Sequence, residues 1–330
     1  MRHSFGYTLL AAAAVLILSL ALVSACGRGK PSGTVPPAAQ QNTRTRNFPQ
    51  PATPQMMGDP LEQACFIVQH FWDKYMKTAG DYRTDSLYFG GVDVEGIEEA
   101  YGIYASRLWA VPLDEAQKAM ENLCGLMVKP GVPDGVNQRL IEMTRRYLYD
   151  PNSPLRCEDF FRPFAERLLH SSLIADDQRM QYEYEIRMCR MNGIGTQATD
   201  FVFIDTKGRK MTLYGIESEY TLLIFGNPDC HACKDLVEMM ATDPAADALI
   251  KSGRLTVLDV FIDQEIDLWK ERMHDYPKEW INGYDPTFQI RNDHLYNVRA
   301  VPSMYLLDAD KKVLLKDASE PILMRMLQLI

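Results

Sequence analysis

The residues best suited to chemistry in this chain are Cys230 and Cys233. Only His231 and Ala232 lie between them, and a Cys-x-x-Cys pair that opens a helix places both sulfurs on one turn, close enough to form a disulfide. A buried strand is predicted over Thr221–Phe225, with a helix beginning near Cys230. Free N–H groups at a helix N-terminus stabilise a thiolate, so Cys230 is predicted to be the attacking nucleophile and Cys233 the resolving thiol.

Two titratable neighbours are predicted to tune this pair. A protonated His231 would add to the stabilisation of the Cys230 thiolate, whereas the carboxylate of Asp229 would oppose it. One alternative is half of a zinc site, but zinc with four ligands needs a second pair at suitable spacing. The chain has no other Cys-x-x-Cys and no His pair, so no metal is predicted; an unreactive cysteine pair is a further alternative.

After residue 194 the pattern alternates between strands and helices. This order predicts an α/β domain over residues 195–330, with a central mixed sheet flanked by helices. The predicted strands are Phe201–Ile204, Met211–Tyr214, Thr221–Phe225, Leu255–Ile262, Ser303–Leu307 and Val313–Lys316. The predicted helices begin near Cys230 and cover Glu265–Met273 and Pro321–Ile330.

Two motifs in this domain resemble the TlpA-like branch of the thioredoxin superfamily, which are membrane-linked thiol:disulfide oxidoreductases. Phe225–Lys234 (FGNPDCHACK) is similar to the active-site stretch, and Val298–Leu307 (VRAVPSMYLL) to the segment that carries the family's cis-proline. The resemblance implies a cis peptide bond before Pro302 and a Val301 backbone free to bind an extended substrate by strand addition. It also implies protein disulfides or dithiols as substrates, an unidentified redox partner and no cofactor.

The motif departs from the thioredoxin pattern at three places. Thioredoxins carry Trp before the first cysteine and Pro within the dipeptide, where this chain has Asp229 and His231-Ala232. The strand position that holds a buried carboxylate in thioredoxin is Ile224 here. The usual proton acceptor for the resolving thiol is therefore missing, unless a nearby acidic residue replaces it. The candidates are Asp235, Glu238 and Glu217.

Residues 60–194 have apolar residues at three- and four-residue steps, which predicts an all-α domain of five or six helices. This half resembles a domain of unknown function that precedes thioredoxin-like modules in bacterial lipoproteins. Its aromatic residues are interpreted as core rather than as a groove for a partner. They are Phe71, Trp72, Tyr101, Tyr104 and Trp109.

Four of the seven cysteines belong to this helical half. Cys65 is predicted to be a core residue, because free cysteine behaves as a small buried hydrophobe. Cys124, Cys157 and Cys189 can be core residues or members of one or two structural disulfides, and the sequence does not decide between these alternatives.

The first 25 residues are predicted to be a lipoprotein signal peptide. A basic start and the apolar run Thr8–Val23 precede Ser24-Ala25-Cys26, which resembles a bacterial lipobox. This implies cleavage before Cys26 and lipidation of its thiol, which would anchor the chain to a membrane on the periplasmic side. A membrane-spanning anchor is the alternative, although the run is short for one. Residues 26–59, rich in Pro, Gln, Thr and Ala, are predicted to be a disordered tether.

The net charge of −9 argues against a nucleic-acid partner, because binding to phosphates depends on clustered Lys and Arg. We therefore predict a membrane-anchored thiol:disulfide oxidoreductase of the cell envelope that reduces protein disulfides and contributes to redox homeostasis. The alternative is a non-catalytic binding lipoprotein, in which the helical domain is the functional part and the thioredoxin fold is a scaffold. A peroxidase of the peroxiredoxin type is disfavoured, because no Thr lies two or three residues before Cys230.

Overall fold

Helices make up most of the N-terminal half of the computed structural model, which describes residues 42–54 and 57–330. They are α1 (Pro60–His70), α2 (Asp73–Lys77), α3 (Val94–Leu108), α4 (Leu113–Met127), α5 (Asp134–Thr144), α6 (Glu158–Leu169) and α7 (Asp176–Arg190). These seven helices exceed the five or six that were predicted, because α2 is a separate helix, with two residues between it and the end of α1. A short hairpin of β1 (Tyr88–Phe89) and β2 (Val92–Asp93) interrupts the helices.

Local signals explain where these helices begin. The side chain of Asp59 accepts a hydrogen bond from the first turn of α1, and the side chain of Asp93 accepts one from the first turn of α3. The aromatic faces then pack together, since Phe71, Trp72 and Tyr104 are at most 2% exposed. The interpretation of the aromatic residues as core is confirmed for these three and for Tyr101, whereas Trp109 is only half-buried.

Residues 42–54 form neither helix nor strand and pack against the helical half. The backbone N–H of Arg46 donates to the carbonyl of Gly91 at 2.8 Å, and its guanidinium donates to the carbonyl of Tyr75 at 3.0 Å. The ring of Phe48 lies 5.4 Å from that of Phe71. Both polar and apolar contacts therefore fix this segment.

The prediction of a disordered tether over residues 26–59 is accordingly wrong for residues 42–54. Composition alone suggested no burial, but one Arg and one Phe supply the contacts that order this stretch. The predicted signal peptide, Cys26 and residues 27–41 lie outside the described residues. Within the part that is described, no helix combines the length and hydrophobicity needed to cross a bilayer.

Residues 195–330 form a seven-stranded mixed sheet. Its strands are β3 (Val202–Asp205), β4 (Lys210–Thr212), β5 (Tyr220–Gly226), β6 (Leu255–Phe261), β7 (Ile281–Tyr284), β8 (Ser303–Leu307) and β9 (Val313–Lys316). The strand order is β4-β3-β7-β6-β5-β8-β9, in which β5, β6 and β7 are parallel and all other pairs are antiparallel.

Helices and two apolar clusters cover both faces of this sheet. The helices are α8 (His231–Thr242), α9 (Pro244–Lys251), α10 (Ile266–Arg272), α11 (Gln289–Asn292) and α12 (Glu320–Leu327). One cluster joins the sheet to α8, α9 and α12, and the other lies beneath α11. The predicted fold class, an α/β thioredoxin-like domain after a helical domain, is confirmed. The described residues of both halves form one compact unit.

Candidate active site

The two cysteines lie at the N-terminal end of α8, after the short loop that follows β5. Cys230 is the N-cap of α8 and has extended backbone angles, and the backbone N–H of Cys233 donates to its Sγ at 3.3 Å. Cys230 is half-buried, whereas Cys233 is only 5% exposed. One sulfur is thus accessible at the start of a helix, and the other lies behind it in the first turn.

A second segment reaches the same place because β8 pairs with β5. Phe225 at the end of β5 is opposite Ser303 at the start of β8, so the residues after β5 and before β8 meet at one end of the sheet. The Val301–Pro302 peptide bond is cis, which confirms that prediction. The thiol of Cys230 donates a hydrogen bond to the carbonyl oxygen of Val301, with Sγ and O 3.4 Å apart.

The two residues predicted to tune the pair face solvent. The side chain of His231 is 92% exposed, and its Nε2 lies 3.7 Å from a carboxylate oxygen of Asp235 one turn further along α8. Asp229 is also exposed, and its backbone N–H donates to the side chain of Asn227 at 2.9 Å. Their effect on the reactivity of Cys230 stays a prediction.

The sheet contains a buried acid that sequence reasoning missed. Asp259 of β6 is 3% exposed and pairs in register with Ile224, so its side chain lies on the same face as the position that the thioredoxin pattern assigns to a carboxylate. Its Oδ1 has no hydrogen-bond partner among the described residues. A Cβ added at Gly226 would lie 2.6 Å from Oδ2, so the glycine leaves space for this carboxylate.

Burial raises the pKa of Asp259 to about 7. The pKa of the Cys233 thiol is also raised. Burial is the main cause, the hydrogen bond with Cys230 is the next, and the charge of Asp259 contributes further. The acid is therefore close enough to act electrostatically on the buried sulfur. By contrast, Asp235, Glu238 and Glu217 are all exposed. The missed signal was a single acidic residue inside an otherwise uncharged strand, LTVLDVF.

A cavity of about 250 Å³ borders the buried sulfur. It lies between α8 and the segment after α10, and Tyr276 forms its far wall. Burial raises the pKa of Tyr276, and the charges of Asp259 and Cys233 add to that shift. Cys233 thus lines this cavity, and the charge of Asp259 acts on its thiol.

All cysteines in the described part of the chain are free thiols. Cys124, Cys157 and Cys189 are at most 2% exposed, so they are core residues and form no disulfides with one another. Burial raises the pKa of all three. Cys65 is only partly buried, in contrast to the prediction, because the N-terminal turns of α1 lie at the surface.

Across residues 42–54 and 57–330, no group of three or more His, Cys, Asp or Glu side chains is arranged to hold a metal ion. The described residues of the site supply two thiols, a backbone carbonyl and a buried carboxyl group. Such a set can exchange electrons by thiol–disulfide exchange and can move a proton.

The helical half matches a described protein family. A family model described as a domain of unknown function, DUF5106, matches residues 25–192. This confirms the prediction of an N-terminal domain of unknown function. A comparison with curated proteins gives no match.

Several solved structures are similar to this chain. A thioredoxin-like protein from Bacteroides caccae is 34% identical, with 86% of this chain and 99% of that chain covered and a TM-score of 0.72. The C-terminal domain of an uncharacterised protein from Bacteroides fragilis is 42% identical over 42% of this chain and 99% of its own, with a TM-score of 0.41. The thioredoxin domain of a thiol-disulfide oxidoreductase from Bacteroides vulgatus is 20% identical over 41% and 96%, with a TM-score of 0.37.

Proposed function

The chain belongs to the DUF5106 family and is a thioredoxin-like protein, and from that premise we propose that it is a thiol:disulfide oxidoreductase. The observation that carries the proposal is the asymmetry of the cysteine pair. Cys230 is accessible at a helix N-terminus with its Sγ 3.4 Å from the Val301 carbonyl, and Cys233 is buried behind it. A nucleophile and a resolving thiol need these two environments.

The first step is attack of the Cys230 thiolate on a substrate disulfide. The substrate S–S bond breaks, a mixed disulfide with Cys230 forms, and the first substrate thiol leaves with a proton from solvent. The backbone of Val301 beside Pro302 holds the substrate as an added strand, since its carbonyl already lies at the reacting sulfur.

The second step uses the buried groups. Cys233 gives its proton to the carboxylate of Asp259 and attacks the Sγ of Cys230, which releases the second substrate thiolate. Two electrons pass to the substrate, and the protein keeps a Cys230–Cys233 disulfide. A pKa of about 7 makes Asp259 able to accept and return a proton near neutral pH. A dithiol partner must then reduce the pair, and the resemblance of the motifs to TlpA-like proteins supports this reducing direction.

The test is a trapping experiment in cells. Cys233→Ser removes the resolving thiol, so mixed disulfides between Cys230 and substrate proteins should accumulate and disappear on treatment with a reductant. The matched control is Cys230→Ser, in which the remaining Cys233 is 5% exposed and should trap nothing. Equal yields from the two variants, or no complexes from either, would instead support the alternative of a non-catalytic binding lipoprotein.

We also propose that the chain is exported and held on a membrane through a lipidated Cys26, which would place the redox site in the periplasm. The lipobox-like sequence before Cys26 supports this proposal. Metabolic labelling with radioactive palmitate should mark the wild-type protein and not Cys26→Ala. Cys65→Ala is the control, because it removes another thiol outside the core and should keep the label. Label that survives in Cys26→Ala would contradict the anchor.

A further inference from the structure

A chain of buried charges lies where the helices meet the sheet. Positive and negative side chains alternate along it, and each is at most 15% exposed. The helical side contributes Arg156 and Glu158, and the sheet side contributes Arg299, Lys316 and Asp317.

Glu158 is at the centre of this charge chain. Its Oε1 lies 2.9 Å from Nε of Arg299, and its Oε2 lies 2.7 Å from Nζ of Lys316; both contacts are ion pairs rather than well-aligned hydrogen bonds. Asn297 adds a hydrogen bond from its side-chain amide to Oε1 at 2.7 Å. One carboxylate of α6 therefore holds two residues of the segment that leads to Pro302.

Arg299 is held by further groups of the helical half. Its guanidinium donates to the carbonyl of Tyr149 and lies 4.2 Å from the centre of that ring. On the sheet side it lies 3.5 Å from a carboxylate oxygen of Asp317, whose backbone N–H donates to Met304 at 2.7 Å. Arg299, before the Val301–Pro302 bond, and Met304, after it, therefore both contact residues of this charge chain.

The distance along the backbone from this charge chain to the reacting sulfur is short. Arg299 is two residues before Val301, and the carbonyl of Val301 accepts the hydrogen bond from Cys230 at 3.4 Å. A shift of Arg299 would therefore move a backbone carbonyl that contacts the nucleophile.

Stability alone does not account for such a cluster. Removing charges from water costs several kcal/mol per ion, and well-packed apolar residues at such sites often give an equal or more stable fold. Buried ion pairs can instead fix one arrangement of the parts that they join. The parts joined here are the helical half and the substrate-binding edge of the redox site.

We propose that the helical half positions the redox site, with Glu158 as a positioning residue that acts through Arg299 on Val301. This rests on the proposed function, and it assigns a role to the DUF5106 region that requires no ligand of its own. The helical half holds the edge against which a substrate disulfide must align with Cys230.

The experiment measures Glu158→Gln in the full chain, with a dye-labelled glutathione disulfide as substrate and dithiothreitol as electron donor. We expect KM to rise at least about fivefold while kcat changes less than about twofold, because the binding edge moves and the sulfurs do not. We also expect iodoacetamide to alkylate Cys230 at least about threefold faster, because a displaced Val301 carbonyl no longer contacts its Sγ and leaves that sulfur more accessible.

The matched control is Glu185→Gln. Glu185 is likewise buried and ion-paired, at 2.7 Å from Arg145, but that pair lies wholly within the helical half. Its loss should lower the unfolding midpoint and leave KM and the alkylation of Cys230 unchanged. If Glu158→Gln behaves in the same way, its role is structural and the positioning proposal is wrong. Inactivity of the wild-type protein would instead refute the proposed function.

A second variant keeps the test decisive if Glu158→Gln fails to fold. Asn297→Ala removes one hydrogen bond to Glu158 and leaves both ion pairs of that carboxylate in place. It should raise KM and the alkylation rate in the same direction by smaller factors. Wild-type values for both quantities would overturn the proposal.

Discussion

At the scale of single residues, we expect the buried carboxyl group of Asp259 to make both the stability of the protein and the proposed redox reaction depend on pH. An exposed Asp has a pKa near 3.9, whereas burial raises that of Asp259 to about 7. The folded protein therefore binds this proton more tightly than the unfolded chain does. The contribution of this proton to the free energy of unfolding is complete below about pH 4. It falls by on the order of 4 kcal/mol as the pH rises to about 7.

Asp259→Asn should remove this pH dependence. The variant is expected to unfold at a higher temperature than the wild type at pH 8 and to differ little from it at pH 4, as measured by thermal unfolding of the reduced proteins. The resolving step should slow on the order of 100-fold, because the buried proton acceptor is gone. The rate of this step should also no longer increase as the pH rises through about 7. Stopped-flow measurement of thiol release reports this step.

Asp235→Asn is the control, since Asp235 is exposed on α8 and was one of the acceptors considered from the sequence. It should keep the wild-type pH profile in both measurements. A resolving step that titrates identically in Asp259→Asn and in the wild type would show that the proton goes elsewhere.

At the scale of elements, the sequence predicted those parts whose patterns are local. The buried strand β5, the start of α8 at Cys230 and the hairpin of β8 and β9 all follow from apolar runs and turn residues. Cys230, Cys233 and Pro302 could be predicted as site residues because each lies in a short contiguous motif.

Features that depend on neighbouring strands were missed. Strand β7 has the sequence INGY and no apolar alternation. A Cβ at its Gly283 would lie 2.6 Å from the ring of Phe203 on the neighbouring strand β3, so only glycine leaves room for that ring. Asp259 was missed for a similar reason, because the carboxylate is supplied by β6 rather than by β5. Register between strands, which one sequence does not reveal, decides both cases.

At the scale of the whole molecule, we expect the two halves to unfold together. Arg156 lies in the helical half, is 7% exposed, and donates to the carbonyls of Asp317 and Ala318 at 2.8 and 3.0 Å. Arg156→Met keeps the apolar stem but leaves those carbonyls without their donor, which should cost about 2–4 kcal/mol of unfolding free energy. Urea unfolding followed by far-UV circular dichroism and tryptophan fluorescence should give coincident curves for the wild type and separated curves for the variant.

Arg162→Met is the corresponding control. Arg162 pairs with Glu166 on the same helix, its side chain is 26% exposed, and such pairs contribute about 1 kcal/mol or less. Its curves should stay coincident with a midpoint near that of the wild type. Separation in Arg162→Met as well would mean that Arg156 has no special part in joining the halves.

The three buried thiols of the helical half have one more consequence, which concerns opening reactions in the native state. Cys124 lies in α4, Cys157 at the start of α6 and Cys189 in α7, and a thiol that is at most 2% exposed reacts with an alkylating reagent only after its surroundings open. Under conditions where reclosing outpaces alkylation, each labelling rate gives the free energy of opening around one helix. The carbonyl of Cys189 accepts a hydrogen bond from Lys316 at 2.8 Å, so its rate reports how often the boundary with the sheet comes apart. The chain thus carries natural probes of local opening in three of its helices.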